Sequence, residues 1–211
     1  MSVRVGLLHG GASYHLNTLA DPVVASVPVD PFYLPELGGE RVRERLGGLD
    51  ALLVCDRLHP GLLRRHAASV LAVAERGGTL VVLGEAGAHT WLPGLSWSPR
   101  PTNFWWWRTG QDPGIRRHNA DHPIWRHLEA SDVVWHYHGL LHPRPDATPL
   151  ASVDEEGRSA GLILYEDRVS TAGRLLVTSM DPTHHHGSNF MPAATRLLHG
   201  LLRWLAAEPP G

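Results

Sequence analysis

The sequence predicts an α/β domain in three layers, a mostly parallel β-sheet with helices on both faces. Short apolar runs alternate with amphipathic stretches, and glycines stand at the joints between them. The apolar runs are hydrophobic at successive rather than alternate positions, the pattern of strands covered on both faces. Strand, helix, strand with glycine at each joint is the βαβ signature. A chain of 211 residues suits a single domain over 1–211, which buries roughly 70% of its unfolded surface with no need of a disulfide or structural metal.

The elements follow in order. Residues 3–8 form a buried strand that ends at His9-Gly10-Gly11, and residues 23–27, fenced by Pro22 and Pro28, read as a second strand. A short polar helix over 40–46 stops at Gly47-Gly48, and residues 50–55 give a third strand. Leu62, Leu63, Ala67, Val70, Leu71 and Ala74 recur at helical spacing before the Gly77-Gly78 stop. Residues 79–83 make a fourth strand ending at Gly84.

The stretch 89–126 differs in kind. It holds Pro93, Pro99, Pro101, Pro113 and Pro123 with six of the eight Trp and shows no period, so it reads as an irregular lid or binding loop. Strands are expected at 133–137, 148–153, 160–165 and 174–180, with a hairpin turn at 154–158. The last helix carries the stripe Phe190, Ala194, Leu197, Leu198, Leu201, Leu202 and Leu205, with Ser188 or Asn189 as cap and Pro192 in its first turn.

Composition narrows the chemistry. Nineteen basic residues against twenty-one acidic ones give a net charge of −2, which argues against nucleic acid or an anionic membrane as partner. All the basic residues are Arg, so a lysine Schiff base, a lysine base and a P-loop lysine are excluded, and no nucleotide cofactor is indicated. A single Cys, Cys55, excludes an intrachain disulfide and any multi-thiolate metal site. No apolar run is long enough to span a membrane, and the N-terminus lacks a secretory signal, so a cytoplasmic location is expected.

The order of motifs resembles the class I glutamine amidotransferase-like, flavodoxin-like fold, and within it the ThuA-like (trehalose utilization) group. The residues carrying the resemblance are Gly10-Gly11 followed by Tyr14-His15, the run 77–84, the step Asp121-His122-Pro123-Ile124, the run 173–180, and a His-bearing loop before a helix ending in Leu202-Arg203-Trp204. The resemblance implies a pocket over the strand ends and a carbohydrate-like ligand. It also implies a nucleophilic Cys in a Gly-x-Cys-x-Gly elbow, where this chain reads Gly84-Glu85-Ala86-Gly87-Ala88 and places Ala86 at the thiol position. Without a thiolate there is no acyl-enzyme route to glutamine hydrolysis. Of the group's acidic pair after the His-Pro step, only Asp132 remains.

In open α/β sheets ligands bind beyond the carboxyl ends of the strands. His9, Tyr14 and His15 follow the first inferred strand; Cys55, Asp56 and His59 the third; Glu85 and His89 the fourth. His136 and His138 close the 133–137 strand, and Asp181, His184, His185 and His186 follow the last. Imidazoles and carboxylates are ligands for Zn, Mn or Fe. Two apart on a strand, His136 and His138 share a face with Cα atoms roughly 6.5–7 Å apart, close enough to converge on one ion. His136, His138, His184 and His186 are therefore candidate metal ligands, the alternative for the triple His being a polar loop that caps the next helix or meets solvent.

Glu85, His136 and His185 are the candidate catalytic groups, with Glu85 as general acid or base; the competing role for Glu85 is a helix cap. Cys55 reads as a small buried hydrophobe, and His66, His127 and His199 as surface or packing residues. Trp105, Trp106 and Trp107, beside Asn103 and Arg108, suit a sugar platform, an oligomer interface or packing onto the sheet. Two functions remain open. One is an enzyme or enzyme relative acting on a small polar, carbohydrate-like ligand with a divalent metal, and the other is a non-catalytic binding or homo-oligomerisation module.

Overall fold

The computed structural model describes residues 3–101 and 106–207. Five strands run parallel in the order β2 (Val29–Tyr33), β1 (Val5–His9), β3 (Ala51–Val54), β4 (Thr79–Val82) and β10 (Arg174–Thr178). Every residue of β1, β3, β4 and β10 is buried. Successive side chains point to opposite faces, so this burial means cover on both sides, as the unbroken apolar runs predict. The helices fall into two groups by contact: α3 (Glu40–Gly47) with α4 (Pro60–Glu75), and α1 (Ser13–Ala20) and α2 (Pro22–Ser26) with α6 (Pro182–Gly187) and α7 (Pro192–Ala207).

The parallel half continues into an antiparallel extension. β9 (Arg158–Asp167) pairs with β10 along one edge and with β8 (Thr148–Glu155) along the other. The β8–β9 turn carries Glu156 and Gly157 at positive φ, the hairpin expected from the sequence. β6 (Ile115–Arg117) adds to β8. β9 outruns β10, and β7 (Gly139–His142) docks on the overhang through the Leu141–Leu162 bridge, with β5 (Ser96–Pro99) outside it. This overhang carries the segment before β7 over the carboxyl end of β10, where the His138 N–H donates to the Ser179 carbonyl (3.1 Å).

Several expectations are corrected. Of residues 23–27, expected as a strand, all but the C-cap Val27 belong to α2, because Asp21 accepts the N–H groups of Val23 and Val24 (2.8 and 3.1 Å) and Pro22 takes the first helical position. The second strand forms further on, at an edge that tolerates Pro31. Residues 133–137 are not a strand either. Val133, Trp135 and Tyr137 are buried alternately in a segment that turns and bends at 133–135 and has no ladder partner among the described residues. The Asp181–His186 run is a helix rather than a loop, with Ser188 its C-cap, so neither Ser188 nor Asn189 caps α7. Phe190 precedes α7 and is exposed, because Asn189 and Met191 at positive φ turn the chain between the helices. The segment 89–126 is not wholly irregular, since β5, β6, the short helix α5 (Trp106–Thr109) and a 3-10 turn at Pro123–Arg126 lie within it. No described helix is long and apolar enough to cross a membrane.

Candidate functional site

Three strand ends meet over the parallel half. β4 closes on the chain after β10 at Gly84, whose N–H donates to the Met180 carbonyl (2.7 Å); a Cβ there would stand 2.5 Å from the Ser179 carbonyl, so only glycine fits. The next residue, Glu85, has φ 55°, and Arg57 beyond β3 has φ 52°. Left-handed backbone at two charged, non-glycine residues costs of order 1–3 kcal/mol each and persists where surrounding structure holds it, often at functional sites. Ala86, which the sequence places about where the family's thiol would stand, is buried, and the side chain presented by the turn is the Glu85 carboxylate.

Asp181 is the centre of the cluster and is fully buried. Arg57 Nε and Nη2 lie 3.0 and 2.9 Å from its Oδ2, and Nη2 also reaches Glu85 Oε2 at 3.1 Å. His138 spans the same two carboxylates, with Nε2 3.1 Å from Asp181 Oδ2 and Nδ1 3.4 Å from Glu85 Oε1. His185 Nε2 lies 3.2 Å from Asp181 Oδ1. Burial alone would raise the Asp181 pKa, but the contacts to His138 and His185 outweigh it and hold the carboxyl well below the usual range.

The His136 ring lies 4.2 Å from that of His138 and 5.0 Å from that of His185, centroid to centroid. Burial, then the neighbouring His138, lowers its pKa to about 4, which keeps the imidazole in the neutral form a metal requires. One ligand atom from each of His136, His138 and Asp181 falls within 4.8 Å of the others, so the three can hold an ion. Two cavities flank the imidazole pair. One, of about 300 Å³, is lined by His136 with Arg100, Trp106 and Trp135. The other, of about 250 Å³, is lined by His138 with Glu85, His89 and Trp97.

The remaining residues expected from the sequence are dispersed. Asp56 accepts the N–H groups of Thr183 and His184 (2.7 and 3.1 Å) and so anchors the start of α6, leaving Asp181 free to face the cluster. Burial pushes the Asp56 pKa up to about 7 against the pull of Thr183. His15 is buried with both ring nitrogens engaged, Nδ1 by the Gly10 N–H (3.2 Å) and Nε2 by the Asp56 carbonyl (3.0 Å), which leaves it no lone pair for a ligand. His9 accepts the Gly11 N–H and lies near Tyr33, while Tyr14 packs edge-on against His184. His89 is exposed and stacks on Trp97.

The proposed ligand set therefore splits. His184 faces Tyr14, and His186 turns away to Asp21 and His199. His199, expected as a surface or packing residue, pairs with Asp21 at 3.2 Å. Trp105 and the side chain of Trp107 lie outside the described residues. Cys55 is buried, and burial pushes its thiol well up, as its reading as a small hydrophobe anticipated. Sequence reasoning missed Arg57; the available signal was its place immediately after Asp56, just beyond the third strand.

No protein-family model matches the chain, and a search of curated proteins found no match. Solved structures do match. The chain aligns with a GMP synthase component of Thermoplasma acidophilum at TM-score 0.62 and 14% identity, covering 98% of this chain and 96% of the other. A glutamine amidotransferase of Thermotoga maritima aligns at TM-score 0.59 and 10% identity, covering 98% and 100%. The exo-β-1,4-mannosidase Op5Man5 of an Opitutaceae bacterium aligns at 0.55 and 13%, covering 98% of this chain but 36% of the enzyme. At these identities the likeness defines the fold: the chain is an α/β protein of the class I glutamine amidotransferase-like fold.

Proposed function

We propose that this chain binds a divalent cation and a small polar ligand of the carbohydrate class over the strand ends, as a relative of the ThuA-like group without the elbow thiol. The observation that carries the reading is the convergence of His136, His138 and the buried Asp181 beside two cavities. Two imidazoles and a carboxylate suit Zn, Mn or Fe with a position left for water or ligand. The ion would polarise a ligand oxygen. Glu85, at the lip of the second cavity, would accept or donate the proton, and Trp97 and Trp106 would offer ring faces to a sugar. Asp181 already holds Arg57, so an incoming ion shares the carboxylate with a guanidinium and binds more weakly than three ligands alone would allow. His185 keeps Asp181 aligned from the other side.

The test is calorimetric titration of the metal-stripped chain with Zn²⁺ and Mn²⁺, followed by Trp-fluorescence titration with trehalose. Wild type should take up an ion that His136→Gln/His138→Gln weakens by more than the 10–100-fold typical of an outer-shell partner, and the sugar should bind more tightly with the ion present. Unchanged ion uptake in that variant would sink the metal reading. A second reading is a non-catalytic module that pairs with a second copy; the mannosidase alignment, over 36% of that enzyme, supports only its being a module. It expects a dimer in light scattering and no response to either titrant.

A further inference from the structure

A second cluster lies outside the strand-end site. Asp21 joins α1 to α2, and its Oδ1 accepts the N–H groups of Val23 and Val24. His199, on α7, places Nε2 3.2 Å from Oδ1, and His186, on α6, places Nε2 3.6 Å from Oδ2. The two rings stand 5.3 Å apart. The three side chains are only 20%, 10% and 15% exposed. His186 Nδ1 lies 3.0 Å from Thr195 Oγ1, a contact that leaves Nε2 as the nitrogen turned toward the carboxylate. His199 Nε2 is shielded from solvent and makes no well-directed hydrogen bond among the described residues.

Two imidazole nitrogens aimed at one carboxylate need either an N–H hydrogen on each or an ion between them. One ligand atom from each residue lies within 4.8 Å of the others, a spacing an ion can bridge. The outer-shell arrangement also suits a metal, because a ligating His characteristically engages its other ring nitrogen with a fixed partner, here Thr195. A cavity of about 490 Å³, lined by Asp21, His186, Met191 and Thr195, opens beside the trio and can admit water to a fourth position.

We propose that Asp21, His186 and His199 form a structural site for Zn²⁺ that pins the α1–α2 junction, α6 and α7 to one another. Two imidazoles, a carboxylate and a water complete a tetrahedral set. The ligands come from three separate elements, so the ion cross-links positions 21, 186 and 199 and stabilises only the folded arrangement. It also holds α6 from behind: His186 grips the ion while the preceding His185 faces Asp181 in the strand-end cluster. This site is independent of the function proposed above.

The experiment uses the full, metal-stripped chain carrying His136→Gln/His138→Gln, which disables the first cluster. Calorimetry with Zn²⁺ should still show one equivalent bound, and Co²⁺ should give the intense visible bands of a tetrahedral site. Zn²⁺ at about 100 times its Kd should raise Tm by roughly 5–10 °C. Adding His199→Gln should weaken Zn²⁺ by more than 100-fold and abolish the Tm rise. Asp21→Asn, which keeps a good helix cap, should do the same with native circular dichroism in the absence of metal, so loss of binding cannot be put down to unfolding. Absence of Zn²⁺ binding in the His136/His138 background, or equal binding with and without His199, would overturn the proposal. If wild type binds one equivalent that is indifferent to His136 and His138 but lost with His199, this site stands and the strand-end reading fails.

Discussion

At the scale of the single residue, His15 separates placement from role. Its position just after the first strand is legible from the sequence, but its partners are not, because the Asp56 carbonyl that fixes its ring lies 41 residues away. Nδ1 accepts from Gly10, so the proton sits on Nε2 and the buried ring is locked neutral. Burial lowers its pKa from 6.5 to about 4. The folded state therefore takes up this proton after the unfolded chain does. Between pH 6.5 and 4 the unfolded state binds more protons, and stability falls as pH falls, by about 3 kcal/mol over the window. Urea unfolding at pH 7, 5.5 and 4.5 should show that loss in wild type. His15→Gln should be less stable at pH 7, having lost a fitted ring, yet flatter in slope by that share. Equal slopes would mean that His15 is protonated in the native state.

At the scale of the element, α6 shows why the triple His is not one donor set. A loop could aim three imidazoles at one ion, but a helix turns about 100° per residue. It sends His184 to Tyr14, His185 to Asp181 and His186 to Asp21. The helix is short and begins at a Pro, with no periodicity to announce it, whereas α4 and α7 run for sixteen residues each and declare themselves by their stripes. The Val23-Val24 pair misleads in the same way, since β-branched residues suggest a strand and only the Asp21-Pro22 start signals a helix.

What holds α6 in place is the approach of its last residue to α1. A Cβ at Gly187 would meet the Tyr14 carbonyl at 1.9 Å, while Asn17 Nδ2 donates to the Gly187 carbonyl at 2.8 Å. Gly187→Ala must push α6 off α1, at a cost of about 1–3 kcal/mol, and carry His185 and His186 with it. Gly47→Ala is the control, since its Cβ meets nothing within 4 Å. Thermal unfolding should show Gly187→Ala destabilised and Gly47→Ala unchanged or slightly raised. Equal Tm for the two would mean that α6 is free to move and positions nothing.

At the scale of the whole molecule, the doubly buried parallel strands and the β8–β9 hairpin are legible in the sequence, while the edge strand β2 and the added strands β5, β6 and β7 are not. β1, β3, β4 and β10 are buried on both faces, so hydrophobicity alone locates them, whatever their neighbours. β7 depends on the overhang of β9, a matter of relative strand length that no local pattern encodes. Its consequence is the site itself, because the overhang carries His136 and His138 over β10. The same asymmetry should appear in dynamics. Amides in β3 and β4 sit in a double-faced core and can exchange with solvent only when the whole domain opens. β5 is a four-residue edge strand, largely exposed, paired on one side with β7. Native-state hydrogen exchange should therefore place β3, β4 and β10 at the global unfolding free energy and β5 several kcal/mol below it. That ordering belongs to the lone chain. If β5 amides prove as slow as those of β3 and quicken on dilution, a second copy of the chain covers this edge, and the oligomeric module becomes the better account of the protein.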